Sequence, residues 1–429
     1  MNKEIKPPER IKGTIHLPAD KSIAQRSALF ALLSQESSLI TNYPAAEDPQ
    51  TALSCIAQLG AKIQSADRRI RIEGTGRDGM RVPGEIIDCG NSGTVMRMLA
   101  GIVAGAGIPA TLAGDASLSH RPMKRIIDPL EQMGALIRAA QGDRPPLEIR
   151  RDKTFTPIDY RLPVASAQLK SCVLLAGLFG EKTTRVIETV ACRNHTEIML
   201  GLPVLRKGKE HIISSNRGIA IPPQNLEIPG DFSAAAFWLV AASILEDSEI
   251  VMPSSGVNPT RCAALHILRR MGADIEMEMM KKAGKEPVAT LRVRSAKLSP
   301  ADIHPEEIPN AIDELPVLCV AMAFADGVSR ITGAEELRFK ESDRLAAIQN
   351  VLEAGGVRVE AHAGGLTIYG DPKRKIRAAQ HDSCHDHRIA MSAAILSLKS
   401  DGVSEIKNAE AAAVSYPEFW SHLDSLAHI

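Results

Sequence analysis

The sequence predicts an α/β protein of two domains, each built from three copies of one repeated β/α unit. Three observations lead to this prediction. Six buried, alanine-rich helices recur along the chain, amphipathic helices that stop at a glycine recur in step with them, and 429 residues are too many for one ordinary core. Self-similarity at a nearly fixed spacing indicates one supersecondary unit used several times.

The six buried helices are predicted from apolar runs that each follow a short polar cluster. Successive runs start 65 to 82 residues apart, at Asp20, Asn91, Ser166, Asp231, Asp313 and Asp386. Few polar side chains interrupt a run beyond its first two turns, as expected of a helix that is buried on nearly all sides. Several of these starting residues are good N-caps.

A second type of helix accompanies the first. It is amphipathic in "SCIAQLGAKI", "DPLEQMGALI", "HILRRMGADI" and "QNVLEAGGVRV". Each copy stops at a glycine, namely Gly60, Gly134, Gly272 or Gly355, and runs into alternating polar and apolar residues. A helix stop at glycine followed by period-2 alternation predicts a helix and then a strand. The prolines of "PPQNLEIPGD" suggest a crossing between the domains around residues 222–230.

The starts of the buried helices are the predicted location of a site. If the helices within a domain run parallel, their N-termini face one way, and uncovered N–H groups attract anions. Two domains facing each other would then enclose an anionic ligand. Lysine and arginine side chains would dominate its binding, because a charged hydrogen bond contributes about 1.5–3 kcal/mol.

Composition excludes several classes of function. Lys plus Arg and Asp plus Glu both number 51, so the chain has no excess of positive charge that would attract a nucleic acid. Aromatic residues make up only 3%, which leaves few side chains on which bases could stack. No apolar run reaches the roughly 18 residues of a membrane span. The N-terminus lacks the pattern of a signal peptide. Seven scattered cysteines fit reduced thiols, so we expect a cytoplasmic protein.

The stretch "RFKESDR", residues 338–344, holds five charged side chains in seven positions. Taken alone it fits a solvated loop or helix face, because most charge runs are surface. It also fits one part of a site for a multiply charged ligand, if the fold brings other charged stretches to it.

The ordered set of motifs resembles the 5-enolpyruvylshikimate-3-phosphate synthase family (3-phosphoshikimate 1-carboxyvinyltransferases) from about Lys12 to Trp420. The motifs are "DKSIAQR", "DCGNSGTVMR", "GDASLSHRPM", "SAQLKS", "RNHTE", "IPGDFSAAAF", "DELP", "LRFKESDR" and "DHRIAM". The resemblance implies an inside-out α/β barrel of six repeated units, the enolpyruvyl transferase fold. It implies a first lobe at 16–227 on the shikimate 3-phosphate side, a second lobe at 1–15 and 228–429, and a catalytic cleft between them. It also implies a monomer without a cofactor, and we assign no metal.

The implied reaction moves the carboxyvinyl group of phosphoenolpyruvate onto the 5-hydroxyl of shikimate 3-phosphate and releases phosphate, on the pathway to chorismate and aromatic amino acids. Such a transfer needs an acid for the vinyl methylene, a base for the hydroxyl proton, and cations for the phosphates and the carboxylate. By family motif Glu341 is the proton donor and Asp313 the proton acceptor, and Lys21 contacts both substrates.

The resemblance also carries over the remaining ligands. Those expected for shikimate 3-phosphate are Lys21, Ser22, Arg26, Ser166, Ala167 through its backbone, Gln168, Asp313 and Lys340. Those expected for phosphoenolpyruvate are Lys21, Gly93, Arg121, Gln168, Arg344 and Arg388. Arg193 matches a position near the shikimate phosphate. Arginine suits these places because its planar fork holds carboxylate or phosphate bidentately, and Gly93 allows close approach of the backbone.

Several polar residues also have a purely structural explanation. Plain helix capping would account for Ser22, Ser166 and Asp313. Bracing of the domain from the second turn of a helix would account for Arg97. We expect Asp343 to pair with a nearby arginine, and His387 to be structural or to support Arg388.

Two features depart from the family pattern or bear on inhibition. Many relatives carry a lysine before the "SFP"-like motif, where this chain has Val414 in "AVSYPEF". That contact to phosphoenolpyruvate is therefore absent or replaced. Gly93, rather than alanine, resembles the forms inhibited by glyphosate, so we expect sensitivity.

Other functional classes are less well supported. UDP-N-acetylglucosamine enolpyruvyl transferases usually carry a reactive cysteine just before an "RP" dipeptide, but here the loop reads "GDASLSHRP". A non-catalytic anion-binding protein with this fold would not need all of the following charged residues together: Lys21, Asp313, Glu341, Arg344 and Arg388. "GTGRDG", residues 74–79, matches a dinucleotide fingerprint, yet Pro83 stands where its helix should be, so we expect a turn between strands. The four adjacent residues of "CHDH" cannot all bind one metal ion, so this stretch is not interpreted as a metal site.

Overall fold

The structure is a computed structural model that describes residues 1–151, 154–279 and 283–428. The chain divides into two compact units. Lobe 1 comprises Ala19–Ile228 and Ala283–Glu286, and lobe 2 comprises Met1–Pro18, Pro229–Lys282 and Pro287–Ile429. The short segment Ala283–Glu286 belongs to lobe 1, where Glu286 Oε1 lies 2.8 Å from His195 Nδ1.

Most of the helices belong to one of the two predicted types. Lobe 1 contains α1 (Lys21–Leu33), α2 (Glu47–Gln58), α3 (Gly93–Ala106), α4 (Lys124–Gln132), α5 (Ala167–Gly177) and α6 (His195–Leu200). Lobe 2 contains α7 (Phe232–Ile244), α8 (Ala263–Arg270), α9 (Ile308–Ala311), α10 (Leu315–Ala323), α11 (Arg344–Ala354), α12 (His387–Ser397) and α13 (Phe419–Leu426). Short 3-10 helices span Leu118–His120, Glu335–Phe339 and Ala409–Val414.

Within the described residues, the strands form six small sheets, three in each lobe. The strands of lobe 1 are β3 (Ser37–Thr41), β4 (Lys62–Ala66), β5 (Arg69–Glu73), β6 (Ile87–Asp88), β7 (Ala110–Ala113), β8 (Ala135–Ala140), β9 (Arg144–Arg151), β10 (Asp159–Arg161), β11 (Thr184–Glu188), β12 (Val204–Lys207), β13 (Glu210–Ser215) and β14 (Leu226–Glu227). Those of lobe 2 are β1 (Lys3–Ile5), β2 (Arg10–Thr14), β15 (Glu249–Gly256), β16 (Asp274–Met279), β17 (Val288–Arg294), β18 (Asp302–Ile303), β19 (Val328–Ile331), β20 (Arg358–His362), β21 (Gly365–Tyr369), β22 (Gln380–Asp382), β23 (Ser404–Lys407) and β24 (Ala427–His428).

One topology recurs in the sheets. In the order β6-β7-β9-β8, the first pair is parallel and the other two pairs are antiparallel, and the orders β10-β11-β13-β12 and β18-β19-β21-β20 repeat this pattern. A buried helix connects the parallel pair, as a crossover requires. These six sheets confirm the predicted α/β class with six repeated units.

In two sheets, one strand of the parallel pair comes from a distant part of the chain. In the sheet β14-β3-β5-β4, β14 pairs with β3 in parallel although more than 180 residues separate them. In lobe 2, β2 pairs with β15 in the same way. The sixth sheet, β1-β23-β22, has three strands, and its antiparallel strand comes from the N-terminus.

The predicted buried helices are confirmed as α1, α3, α5, α7, α10 and α12. All thirteen residues of α7 are buried. Side-chain N-caps begin five of the six helices, from Asp20, Ser92, Ser166, Asp231 and Asp386. The sixth, α10, begins after Glu314, and its cap residue makes no side-chain cap bond within the described chain. Capping therefore accounts for Ser166 but not for Ser22 or Asp313.

The amphipathic helices are confirmed as α2, α4, α8 and α11, each followed by a strand. Their stop residues Gly60, Gly134 and Gly272 have φ of 106°, 100° and 94°, a region that favours glycine. The fourth copy, α11, also ends at the predicted glycine. Gly355 is an ordinary C-cap with φ of −73°, and Gly356 adopts the positive φ of 85°.

Close helix packing forms the core of lobe 1. A Cβ at Gly101 of α3 would lie 2.2 Å from the Cys172 carbonyl oxygen of α5, and one at Gly105 would lie 2.7 Å from that of Ala176. Only glycine permits this approach of the two backbones. In lobe 2 the rings of Trp238, Tyr416 and Phe419 pack together, with centroids 5.3–6.3 Å apart.

Two further expectations concern segments outside the repeats. The "GTGRDG" segment forms a turn after β5 with no helix behind it, so the predicted turn is confirmed in this described stretch. In the described part of the chain, no helix combines the length and the apolar character needed to cross a lipid bilayer.

Candidate active site

The start of α1 carries the first cluster of predicted ligands. Lys21 is the first residue of the helix, and its Nζ lies 3.0 Å from Asp48 Oδ2. The side chain of Lys21 is 23% exposed, whereas that of Asp48 is 12% exposed. Asp48 therefore holds the Lys21 ammonium group, and the side chain of Lys21 remains partly exposed.

Arg26 lies one turn further along α1 and is buried. Its Nη1 donates to the Ser22 carbonyl oxygen at 3.1 Å, and its Nε donates to Thr196 Oγ1 at 3.2 Å. Burial lowers the pKa of Arg26 to about 10, and the neighbouring charge of Arg193 acts in the same direction, whereas Asp20 and Glu197 oppose it. The side chain remains charged at neutral pH. A buried cation with a second cation nearby favours an anionic ligand.

Arg121 is held between two of the motif loops. Its Nη2 donates to Asn91 Oδ1 at 2.8 Å and to Ser117 Oγ at 3.2 Å. Asn91 in turn donates to Asp115 Oδ2 at 2.8 Å. The "DCGNSG" and "GDASLSHRP" segments are thus joined around one guanidinium.

Gly93 is the first residue of α3 and stands beside two arginines. A Cβ at this position would lie 2.8 Å from Arg97 Nη1 and 3.6 Å from Arg121 Nη1. The first of these distances is too short for a carbon–nitrogen contact, so the absence of a side chain here leaves room for the arginine.

Gln168 connects α5 to α3. Its Oε1 accepts from Arg97 Nη1 at 2.6 Å, and its Nε2 donates to Thr94 Oγ1 at 2.8 Å. Ser166 caps α5 and Ala167 is the first residue of that helix. Arg97 does more than brace the domain, because it fixes which way the Gln168 amide faces.

These contacts gather the N-termini of the three buried helices of lobe 1. Gln25 of α1 donates to Ser92 Oγ at the start of α3 at 2.9 Å, and the bond between Thr94 and Gln168 joins α3 to α5. We call the following residues the lobe 1 site: Lys21, Ser22, Arg26, Gly93, Arg121, Ser166, Ala167 and Gln168. Its charged members are all cations.

In lobe 2, Arg344 is the centre of a cluster of carboxylates. Its Nη2 donates to Glu341 Oε2 at 2.7 Å, its Nη1 to Asp313 Oδ1 at 3.4 Å, and its Nε to Asp386 Oδ2 at 2.8 Å. Burial would lower the pKa of Arg344, but the three carboxylates outweigh it and raise that pKa. The side chain of Arg344 is 1% exposed, whereas those of Asp313 and Glu341 are 21% and 26% exposed. The two predicted catalytic carboxylates therefore share one guanidinium and remain accessible.

Asp386 is the buried member of this cluster. It caps α12 by accepting from the Arg388 N–H at 2.8 Å, and it accepts from Ser342 Oγ at 3.0 Å. Burial would raise the pKa of Asp386, but Arg344 and His387 lower it further than burial raises it. Asp386 is thus a fixed anion that holds Arg344 in place.

The remaining predicted ligands of lobe 2 lie on neighbouring segments. Arg388, in the first turn of α12, donates from Nε to His387 Nε2 at 3.1 Å. His387 thus supports Arg388. The Nζ of Lys340 lies 3.7 Å from Glu336 Oε1. We call Asp313, Lys340, Glu341, Arg344 and Arg388 the lobe 2 site.

Lobe 2 also gathers its buried helix starts. Ser233 of α7 donates from Oγ to Glu314, which precedes α10. The Arg344 cluster joins the residue before Glu314 to the cap of α12. The expectation that buried helices within a domain direct their N-termini to one place is confirmed within each lobe.

Two residues that the sequence singled out lie at helix ends. Asp343 caps α11 and lies 2.9 Å from Arg338 Nη1, so the expected pairing with an arginine is confirmed. Val414 is the half-buried last residue of the 3-10 helix Ala409–Val414.

Some site residues were not predicted from sequence. Asp48 carries only the ordinary signal of an acidic residue in the first turn of a helix. Asp386 was predicted to start a helix, but nothing in the pattern indicated that it would bind Arg344. Thr196 belongs to the "RNHTE" motif, but the sequence did not indicate its bond to Arg26, because the two residues are 170 positions apart in the chain.

Comparisons with known proteins agree with this architecture. The enolpyruvyl transferase NikO of Streptomyces tendae has the same fold, with a TM-score of 0.78 at 18% identity, over 99% of this chain and 96% of NikO. An EPSP synthase from Acinetobacter baumannii superposes with a TM-score of 0.87 at 35% identity, over 100% of this chain and 98% of that one. The fold is therefore that of the enolpyruvyl transferases.

Sequence comparison defines the family within this class. A family model described as EPSP synthase (3-phosphoshikimate 1-carboxyvinyltransferase) matches residues 5–423. The 3-phosphoshikimate 1-carboxyvinyltransferase of Salinibacter ruber is 47% identical over 422 residues, or 97% of both proteins. That of Herpetosiphon aurantiacus is 42% identical over 427 residues, or 98% of both. The chain belongs to the EPSP synthase family.

Proposed function

We propose that this protein transfers the carboxyvinyl group of phosphoenolpyruvate to the 5-hydroxyl of shikimate 3-phosphate and releases phosphate. The family supports the identity of the two substrates. One observation of the structure supports the chemistry above all others: the accessible carboxylates of Asp313 and Glu341 lie on one buried guanidinium, that of Arg344.

The lobe 1 site would supply cations for the anionic substrates. Arg26, with Ser22 and the start of α5, is proposed to bind shikimate 3-phosphate, and Arg121 is proposed to bind phosphoenolpyruvate. Lys21 and Gln168 would contact both. This assignment is supported by burial of Arg26 and by the fixed orientation of the Gln168 amide, because preorganised groups bind a charged ligand without reorganisation.

The lobe 2 site would supply the acid and the base. Glu341 in its protonated form would give a proton to the methylene carbon of phosphoenolpyruvate. Asp313 would take the proton of the 5-hydroxyl of shikimate 3-phosphate, while the hydroxyl oxygen bonds to the carbon of phosphoenolpyruvate next to the methylene. Loss of phosphate and of one methyl proton would then restore the vinyl group. Lys340 would bind shikimate 3-phosphate, and Arg344 and Arg388 phosphoenolpyruvate.

We further propose that the lobe 1 site and the lobe 2 site serve the same reaction. All seven cysteines lie in the described part of the chain and are free thiols, which supports a reducing location such as the cytoplasm. We propose that the protein acts there as a monomer.

The function is tested by following phosphate release from phosphoenolpyruvate by the purified protein, with mass spectrometry of the product. We expect release only when shikimate 3-phosphate is present, together with one product molecule per phosphate whose mass is that of shikimate 3-phosphate plus a carboxyvinyl group. Release that does not depend on shikimate 3-phosphate, or transfer to UDP-N-acetylglucosamine instead, would contradict the proposal.

A further inference from the structure

Thr196 is a buried residue of α6 to which no role has been given so far. Its Oγ1 lies 3.2 Å from Arg26 Nε and 2.7 Å from Ser171 Oγ of α5. One hydroxyl group thus connects a predicted substrate ligand on α1 to the helix that begins with the "SAQ" motif.

The chemistry of the groups fixes the direction of the first bond. The Nε–H of arginine can only donate, so Thr196 Oγ1 must accept from it. A hydroxyl has one donor and two acceptor positions, so the bond to Ser171 can form at the same time. Because Arg26 is buried, loss of this acceptor would leave an Nε–H of a charged group without a partner, which is costly.

The two bonds of Arg26 fix the plane of its guanidinium. Nε is bound to Thr196 and Nη1 to the Ser22 carbonyl oxygen. Within the part of the chain that the structure describes, Nη2 of Arg26 makes no hydrogen bond with the protein. A planar fork held at two of its three nitrogens presents the third in one direction, and this is the nitrogen left for an oxygen of a phosphate.

Thr196 itself is firmly held. The next residue, Glu197, lies 2.6 Å through Oε1 from Lys170 Nζ, and Lys170 precedes Ser171 on α5. Lys170 is fully buried and also lies 2.8 Å from Glu188 Oε2. The hydroxyl pair and the ion pair therefore join α5 to α6 at adjacent positions, which is the support that a positioned group requires.

We propose that Thr196 is a positioning residue for shikimate 3-phosphate, acting through Arg26. The inference rests on the proposed function, in which Arg26 binds this substrate. The Thr196 hydroxyl sets the direction of the guanidinium, so removing it weakens binding of the substrate. It does so without changing the chemical step, because the affected contact is made equally before and during the reaction.

The test compares Thr196→Val, which removes the hydroxyl at nearly constant volume, with Thr196→Ser, which keeps it. We expect the valine variant to raise the Kd and KM for shikimate 3-phosphate about tenfold or more. Its kcat should stay within about threefold of the wild type, and the serine variant should restore binding to within about threefold. Calorimetry of shikimate 3-phosphate binding measures Kd separately from turnover.

A double-mutant cycle with Arg26→Lys separates positioning from a general structural effect. Lysine has no Nε–H, so Thr196→Val should weaken binding by less than about twofold in that background. Equal losses in both backgrounds, unchanged binding in the valine variant, or a serine variant as weak as the valine variant would each overturn the inference. If the valine variant does not fold, Thr196→Ala takes its place, and unchanged binding there overturns the inference as well.

The two proposals fail in different ways. A wild-type protein that does not bind shikimate 3-phosphate would refute the proposed function and this inference with it. A wild-type protein that binds it, together with a valine variant that binds equally well, would refute only the role of Thr196.

Discussion

At the scale of single residues, Arg344 determines what the lobe 2 site can do. Its guanidinium holds Asp313 and Glu341 on two of its nitrogens, while the buried Asp386 holds the third. The shared cation offsets the repulsion between the two carboxylates, and both side chains remain partly exposed.

The first prediction concerns these carboxylates. Asp313→Asn and Glu341→Gln should each lower kcat by about 10² or more, because an amide neither accepts nor delivers the proton. Asp343→Asn is the matched control, since it changes a carboxylate of the same motif and asparagine still caps a helix. Steady-state phosphate release measures all three, and full activity in both test variants would contradict the assigned roles.

The second prediction concerns the close contact at Gly93. In Gly93→Ala the new Cβ meets Arg97 Nη1, the end of a flexible side chain, so the fold should tolerate it. The displaced arginine would no longer orient Gln168, and we expect the KM for phosphoenolpyruvate to rise several-fold with an unchanged melting temperature. Gly84→Ala, where no atom lies within 4 Å of the new Cβ, serves as the control. An unchanged KM in Gly93→Ala would count against the contact.

The candidate site was predicted from sequence only in part. The motifs indicated which charged residues matter, because lysine, arginine and carboxylates are needed for an anionic substrate and for proton transfer. They did not indicate Asp48, Asp386 or the bond from Arg97 to Gln168. Those contacts join segments far apart in the chain, and each residue also fits an ordinary helix start or helix face.

At the scale of secondary-structure elements, the buried helices explain both the fold and the position of the sites. Their apolar runs were visible in the sequence because a helix buried on all sides has few polar residues. The short strands β14 and β2 were not predicted as members of the sheets that contain β3 and β15. Strands of two to five residues are too short to show a period, and their partners lie far away in the chain.

The third prediction concerns the buried ion cluster between α5 and α6. Lys170→Met would leave Glu188 and Glu197 buried without their cation, so we expect the free energy of unfolding to fall by about 3–5 kcal/mol. Denaturant titration measures this change. Lys124→Met removes an exposed pair with Asp128 and should have no measurable effect. Equal stability of the two variants would show that the cluster does not support the helices.

At the scale of the whole molecule, a buried histidine should make stability depend on pH. His381 on β22 is 2% exposed, and neither ring nitrogen has a hydrogen-bond partner among the described residues. Burial lowers the pKa of His381 to about 4 from 6.5. Below pH 6.5 the unfolded chain therefore binds a proton that the folded chain does not, and stability is lost progressively as the pH falls toward 4.

The fourth prediction follows from this imbalance. Between pH 6.5 and 4.5 the wild type should lose more free energy of unfolding than His381→Leu, by roughly 2–3 kcal/mol. Denaturant titrations at the two pH values measure the difference, and the exposed His304→Leu should behave as the wild type does. Parallel pH profiles for the wild type and His381→Leu would show that His381 does not cause the loss.

The central claim is that each lobe supplies ligands for one and the same reaction. The most direct measurement is the KM for phosphoenolpyruvate in two variants, Arg121→Gln in lobe 1 and Arg388→Gln in lobe 2, each compared with the wild type in the presence of saturating shikimate 3-phosphate. We expect both variants to raise this KM by about tenfold or more, since each loses a charged hydrogen bond to the same substrate. If either variant leaves KM and kcat unchanged, the lobe that carries it does not bind phosphoenolpyruvate through that arginine, and the claim is contradicted.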